Sequence, residues 1–429
     1  MLLDSQMLAY YAFINVENVY DVMTPSTLYK LIKTFEIFSI ISAGFLSYWT
    51  EGRIYANRYI KWTFSIFLLW MTGHAIITFS GGFSNAELIG PKGPLVWWSL
   101  LILFAGYSRE RWRMIIYPAI KIIVTVGTIE MVFRILNLSE IFDRVEAQRT
   151  LRNSMQLMLW SAPLIFLVPN KSKTGKLLSV ILLSLISLSA LMTATRSWLI
   201  ICLIYMLAWI FCIFGKIRRP EEKVTFVFSI VIVLFPVVVF LMYNLFENQI
   251  QNGGYLLFSR IAFDSRTWQL EQFFMNVPPV DLLVGTGPRG TWYMGNRDYG
   301  YVDGVYFFLL FLGGIPLLFS YLYIVIYPAI RCFIVKGLSL FGSFDFACIF
   351  MVTIWGLVMT GLGTYTAPEL KINHYIVLLC AGRCWGILSN SPIKMQKVKR
   401  HYSFNTNRYT NNIRVYEQKN SPFQKMGNE

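Results

Sequence analysis

Three clusters of residues in this chain place charge where a reaction would need it. The first lies in the segment 246–303 and contains Ser259, Arg260, Asp264, Arg266, Trp268 and Glu271. Arginine presents a planar fork that grips phosphate oxygens in pairs and does not lose its charge. Arg260 and Arg266, with Arg289 further along, are therefore candidates for holding an anionic group; solvated loop charges are the plain alternative. The spacing of Arg260, Arg266, Trp268 and Glu271 predicts a helix lying along a membrane interface, with Trp268 at head-group level. Asn276, Val277, Pro278 and Pro279 break it. A glycine-rich turn follows, from Leu283 through Gly285, Thr286, Gly287 and Arg289 to Gly290. Its glycines allow close backbone approach, either to a ligand or within an ordinary tight turn. No Gly-Lys-Ser/Thr follows, so this is not a nucleotide loop.

The second cluster, Thr193 to Trp198, separates two apolar runs with a turn too short to be a free loop. Arg196 is then expected at a helix end near membrane depth, where a charge is costly unless it is paired or faces a wet cavity. A side chain snorkelling to the head groups is the competing reading. The third is Asp303, where the segment 246–303 meets an apolar run. A carboxylate at the edge of an apolar wall suits a general base; it equally suits the N-cap of the helix that follows. Other polar residues in apolar runs are Glu36, His74, Lys121, Glu130, Arg134 and Arg383. Glu130 and Arg134 stand four apart and are expected to pair. His74 reads as a hydrogen-bonded packing residue. The six cysteines (202, 212, 332, 348, 380 and 384) lie in or beside apolar runs without metal-ligand spacing. No metal or other cofactor is expected.

These residues need elements to hold them, and the composition says what kind. Of 429 residues, 55% are hydrophobic and 14% charged, with a mean hydropathy of +0.52. A soluble domain carries about 25% charge. The composition excludes a soluble globule, a disordered chain and a nucleic-acid binder. The fold class expected is all-α, a polytopic transmembrane helix bundle of about eleven spans, each of about 20 residues. They are expected at 32–49, 60–79, 93–107, 114–136, 153–169, 176–194, 197–215, 223–245, 304–328, 344–365 and 373–389. The first twenty residues lack the basic start of a signal peptide.

The net charge of +15 is not spread evenly. Alternate loops carry Arg53, Arg58, Arg109, Arg111, Arg113, Lys171, Lys173, Arg218, Arg219 and Arg331. By the positive-inside rule these loops and the basic tail 391–429 are cytoplasmic. Residues 1–390 then form the membrane domain, with 246–303 as its one large external loop.

The order and membrane side of these clusters resemble the O-antigen polymerase and ligase superfamily of bacterial surface-polysaccharide enzymes. Thr195-Arg196-Ser197 is similar to that family's Ser/Thr-Arg-Gly/Ser start of a span. Arg266 and Trp268 match an Arg-x-Trp helix, and Gly285-Thr286-Gly287 a Gly-x-Gly turn. Asp303-Gly304-Val305-Tyr306, with Gly313-Gly314-Ile315 beyond, is similar to a His/Asp-Asn-x-Tyr start of a span followed by glycine. The motifs cover about residues 176–330, and topology alone the rest. Ligases of the family carry His-Asn where this chain has Asp303-Gly304, which favours a polymerase.

The resemblance implies that a glycan on undecaprenyl diphosphate is transferred to a sugar hydroxyl of another lipid-linked repeat unit, outside the bacterial inner (plasma) membrane. Arg196 and Arg266 would hold the diphosphate, with Arg260 and Arg289 in reserve, and Asp303 would be the base. Trp268, Tyr299 and Tyr301 would stack on sugars, and Tyr306, Gly285 and Gly287 would line the substrate site. Membrane lipids, a chain-length regulator and a flippase are the implied partners. The alternatives are a ligase moving finished polymer to an acceptor, and a flippase for the lipid-linked oligosaccharide. A flippase would want its polar residues spread through many spans, whereas here charge gathers in one external loop.

Overall fold

The computed structural model describes residues 27–52, 58–80, 82, 97–136, 144–168, 173–193, 196–214, 265–294, 297–300, 302, 304–336, 343–358 and 372–389. These are almost entirely helical, with one two-stranded hairpin. In chain order the helices are α1 (Thr27–Ser47), α2 (Arg58–Phe79), α3 (Tyr117–Leu136), α4 (Arg144–Ser161), α5 (Lys173–Met192) and α6 (Arg196–Phe214). Then come α7 (Ser265–Asn276), α8 (Pro279–Val284), β1 (Trp292–Met294), β2 (Arg297–Tyr299) and α9 (Val305–Tyr321). The last are α10 (Tyr327–Lys336), α11 (Phe344–Leu357) and α12 (Ile372–Ser389). A 3₁₀-helix, Ser99–Gly106, stands between α2 and α3.

Among the described residues, two helical stretches are long and apolar enough to cross a bilayer, Arg58–Ile77 and Val305–Lys336, of 20 and 32 residues. That is fewer than the eleven spans expected from the sequence. Charge and interruption account for much of the difference. Helix α3 carries Lys121, Glu130 and Arg134, and α4 begins with Arg144 and is stopped before Pro163. Five further apolar helices fall short of that length, among them Leu177–Met192, Phe344–Leu357 and His374–Ser389. The segments expected at 223–245 and in the tail 391–429 lie outside the described residues.

The outer surface of the helices is apolar. Leu69, Ile77, Leu136 and Ile334 are each more than 70% exposed, and Phe35, Trp62, Ile129, Leu203 and Phe333 join them on the outside. A large exposed apolar surface needs a partner as apolar as itself. The interior is packed with large rings. Trp160 of α4 meets Trp355 of α11 edge-on at 5.0 Å, and Tyr205 of α6 donates its hydroxyl to the Leu159 carbonyl at 2.9 Å.

Glycines bring α12 against the 3₁₀-helix at backbone distance. A Cβ placed on Gly382 would stand 1.8 Å from the Leu103 carbonyl oxygen, and one on Gly386 2.3 Å from that of Tyr107. From the other side, a Cβ on Gly106 would fall 2.0 Å from the Leu379 oxygen. Gly382 and Gly386 are four apart, so both face the same neighbour, as in the small-xxx-small contacts of membrane helices. Beside them Arg383 of α12 grips Asp345 of α11 through two nitrogens, at 2.8 and 3.3 Å, and donates to the Tyr107 carbonyl at 3.2 Å. At another corner Arg134 pairs with Glu130 at 2.8 Å and donates to the Thr150 carbonyl at 2.8 Å. That pair joins α3 to α4, so the charges expected at 130 and 134 serve packing.

The close contact makes a contrast testable. Gly382→Val is expected to lower stability by about 1–3 kcal/mol, the usual cost of overpacking. Gly73→Ala, where a Cβ meets nothing within 4 Å, is expected to be neutral or slightly stabilising. Thermal unfolding of the detergent-purified variants measures both.

Candidate functional site

Helix α9 is not one helix. At Gly313 and Gly314 the backbone leaves helical geometry, with φ/ψ of −135°/15° and 67°/−164°. The positive φ at Gly314 is one that L side chains rarely take. Pro316 follows, and its missing N–H and fixed φ suit the first turn of a new helix. The break frees the carbonyls of the last residues before it, and in an apolar interior each of them needs a donor.

The segment 265–300 supplies most of those donors. The Thr286 N–H and hydroxyl both reach the Phe311 carbonyl at 2.8 Å, and the Gly287 N–H reaches that of Leu312 at 2.9 Å. Trp70 of α2 donates its indole N–H to the Gly313 carbonyl at 2.8 Å. Four residues on, the His74 Nε2–H donates to the Val284 carbonyl at 3.1 Å. Helix α2 thus holds the broken helix with one ring and the segment 265–300 with the other. His74 is a packing residue, as its apolar surroundings suggested.

The fit depends on backbone meeting backbone. Gly285 has φ +94°, and a Cβ there would lie 2.4 Å from the Gly313 Cα. A Cβ on Gly314 would lie 2.3 Å from the Leu283 carbonyl oxygen. The close approach that Gly285 and Gly287 permit is therefore used against α9. Gly287 to Gly290 form a β-turn, the Gly290 N–H reaching the Gly287 carbonyl at 3.1 Å, with Pro288 at its second position.

Around this turn the segment forms a small unit with its own core. Helix α7 and the residue after it bury Gln269, Phe273 and Val277, spaced four apart on one stripe. Asn276 ends α7, and Pro278 and Pro279 open α8. Phe273 packs edge-on against Trp292 of β1 at 5.5 Å and against Phe311 of α9 at 5.9 Å. β1 and β2 run antiparallel with Trp292 opposite Tyr299. The other face of α7 and α8 turns outward with Trp268, Phe274, Met275, Val280 and Leu283. A helix thus stands where one was expected around Trp268, whose side chain is half exposed.

The candidate residues divide accordingly. Tyr299 is buried against Trp292, with ring centroids 5.8 Å apart, and belongs to this small core. The Tyr306 hydroxyl donates to the Gly356 carbonyl at 2.8 Å, joining α9 to α11. Arg289 donates to the Gly82 carbonyl at 2.8 Å, just past the end of α2, and lies 5.3 Å over the Phe79 ring. A cation there complements the negative end of that helix. Arg196 is the first residue of α6, and Arg266 stands in the first turn of α7. The side chains of both lie outside the described structure, as do Arg260, Tyr301 and Asp303 altogether. The N-cap of α9 is Gly304, with φ 95° and no side-chain cap. That corrects the reading of Asp303 as the cap: the residue at the helix boundary takes a left-handed backbone that glycine reaches without strain.

A polar cluster that the sequence did not suggest lies between α9, α11 and α12. The Trp355 indole N–H donates to the Tyr321 hydroxyl at 3.1 Å, and that hydroxyl meets His374 Nε2 at 3.2 Å. All three side chains are buried. No spacing signals this cluster, because each member comes from a different helix. Comparisons with protein-family models, with curated proteins and with solved structures find no match.

Gly285→Ala is expected to release the unit 265–300 from α9. Limited proteolysis should then cut this segment at least tenfold faster than in the wild-type protein, while the rest of the chain keeps its protection.

Proposed function

We propose that this protein polymerises lipid-linked oligosaccharide repeat units, with undecaprenyl diphosphate as the carrier, at the outer face of the bacterial inner (plasma) membrane. The observation that carries the reading is the unit 265–300 seated in the break of α9. It packs the helix that carries Trp268 and the start of α9 into one small core beside an apolar bundle. The order of motifs from Arg196 to Gly314 supports it, as does the apolar exterior of the helices. In this reading the chain crosses the membrane about eleven times, with its basic loops and C-terminus cytoplasmic and 246–303 outside.

The reaction makes one bond and breaks one. The acceptor hydroxyl oxygen attacks the anomeric carbon of the donor glycan. The bond from that carbon to the diphosphate oxygen breaks, and undecaprenyl diphosphate leaves with the electron pair. Asp303 takes the hydroxyl proton. Arg196 and Arg266 hold the diphosphate charge as it develops, the step at which fixed cations help most. Trp268, with its exposed face, stacks on a sugar ring. Tyr299, Tyr306 and Arg289 support the site through packing.

Arg196→Ala and Arg266→Ala are each expected to cut polymer formation by about 10²–10³-fold, the usual loss for one transition-state contact, with membrane yield unchanged. The decisive experiment deletes the gene and runs surface glycan beside extracted lipid-linked intermediates. Single repeat units without a ladder fit a polymerase. Long polymer left on the carrier would mean a ligase, and units trapped on the cytoplasmic side a flippase. An unchanged profile would remove this family of readings altogether.

A further inference from the structure

The segment 265–300 does not rest on the end of the bundle, and two helices measure how far into it the segment goes. Helices α2 and α9 pack together. Trp70 meets Gly313, and Tyr59 lies near Tyr323, so the two run antiparallel. Helix α2 therefore ends on the side where α9 begins. Their apolar stretches end there too, at Ile77 and Val305. At about 1.5 Å of rise per residue, His74 lies about 5 Å inside the first limit. Gly313 and Gly314 lie about 12 to 14 Å inside the second.

The chain goes down to those levels and comes back. Phe274 of α7 packs on Phe307, near the start of α9, at 5.8 Å. The Leu283 carbonyl oxygen stands beside Gly314, and Gly285 beside Gly313. His74 holds the Val284 carbonyl at 3.1 Å. The Gly287 and Thr286 N–H groups then bond one and two residues nearer the start of α9, at Leu312 and Phe311. Arg289 donates to the Gly82 carbonyl, already past the end of α2.

The surface of this stretch suits that depth. From Gln272 to Pro288 the only charged residue is Asp281. It stands half-buried in the first turn of α8 and marks the polar end of the descent, since a charge among acyl chains is costly. Val280, Leu283 and Val284 share one face of α8 and are 65%, 54% and 46% exposed. The flanking helices also turn apolar side chains outward, Ile76 and Ile77 on α2 and Phe319 on α9. Irregular backbone is tolerated at such depth only where protein partners satisfy it. The N–H groups of Gly285, Thr286 and Gly287 meet this condition on the carbonyls of Asp281, Phe311 and Leu312.

We propose that residues 278–287 form a re-entrant dip into the bilayer, entering and leaving on one side, with Val280, Leu283 and Val284 against lipid acyl chains. Half of a hydrocarbon core is about 15 Å thick, so the tip of the dip remains in one leaflet. The inference rests on α2 and α9 crossing a bilayer, as in the function proposed above, and not on the polymerase chemistry. It takes part of the segment expected outside the membrane below its surface.

Spin labels on the full-length protein in phosphatidylcholine nanodiscs test this. The native cysteines are buried, and the unsubstituted protein gives their background. Single labels are placed at Leu283→Cys, at Phe319→Cys on the span, and at Thr291→Cys beyond the dip. Oxygen, which concentrates among acyl chains, and a water-soluble nickel chelate compete to relax each label. Leu283→Cys and Phe319→Cys are expected to favour oxygen at least threefold, and Thr291→Cys to favour nickel. Leu283→Cys favouring nickel while Phe319→Cys favours oxygen would overturn the dip and keep the spans. Nickel access at both would overturn the membrane reading itself. A Leu283 label shielded from both reagents would mean that protein, such as a second copy of this chain, covers the face. Oxygen access at Thr291→Cys would show that the chain does not climb back out. These last two outcomes also overturn the proposal. Should Leu283→Cys fail to fold, Val280→Cys on the same face carries the same test.

Discussion

The carbonyl groups released at Gly313 and Gly314 govern much of this structure. A helix satisfies its own backbone, so it can pass through an apolar interior without help. A helix that stops part-way cannot, and each buried carbonyl without a donor costs about 1–3 kcal/mol. Here the carbonyls of Phe311, Leu312 and Gly313 are met by Thr286, Gly287 and Trp70. The unit 265–300 and α2 are therefore attached to α9 by necessity. Removing either one leaves polar groups stranded, which explains why a segment with so small a core of its own keeps a defined place.

The remainder of the bundle is joined by close backbone packing and by polar contacts between helices. The glycine seam of α12 and the two interior ion pairs are of that kind. Asp345–Arg383 and Glu130–Arg134 each join two helices and each take a backbone carbonyl as well. Their charges are used up within the bundle.

What the sequence made legible was local. Among the described residues apolar runs located most helices to within a few residues, because chain-continuous hydrophobicity is a property of one segment; α4 is the exception, beginning at Arg144 where the run was expected from 153. The Glu130–Arg134 pair was legible because its members are four apart. Asp345–Arg383 was not, since its members are 38 residues apart and only the fold makes them neighbours. The Gly285–Gly287 turn was recognised as a place of close approach, but its partner is the chain's own broken helix. The pair Gly313-Gly314 looked like a motif and not like a break, because two glycines in an apolar run do not by themselves say that the helix stops. His374 escaped notice for a related reason: in sequence it is one polar residue among apolar ones, and its partners arrive from α9 and α11.

The direction of the bonds across the break also bears on how the protein is made. Trp70, Thr286 and Gly287, which donate, all precede the carbonyls at 311 to 313, which accept. Chains leave the ribosome from the N-terminus, and early segments organise first. When the first half of α9 enters its apolar surroundings, every group that will close its gap has already been synthesised. The interrupted helix never has to wait for a partner still inside the ribosome, so the topology that leaves it incomplete also sets a safe order of assembly.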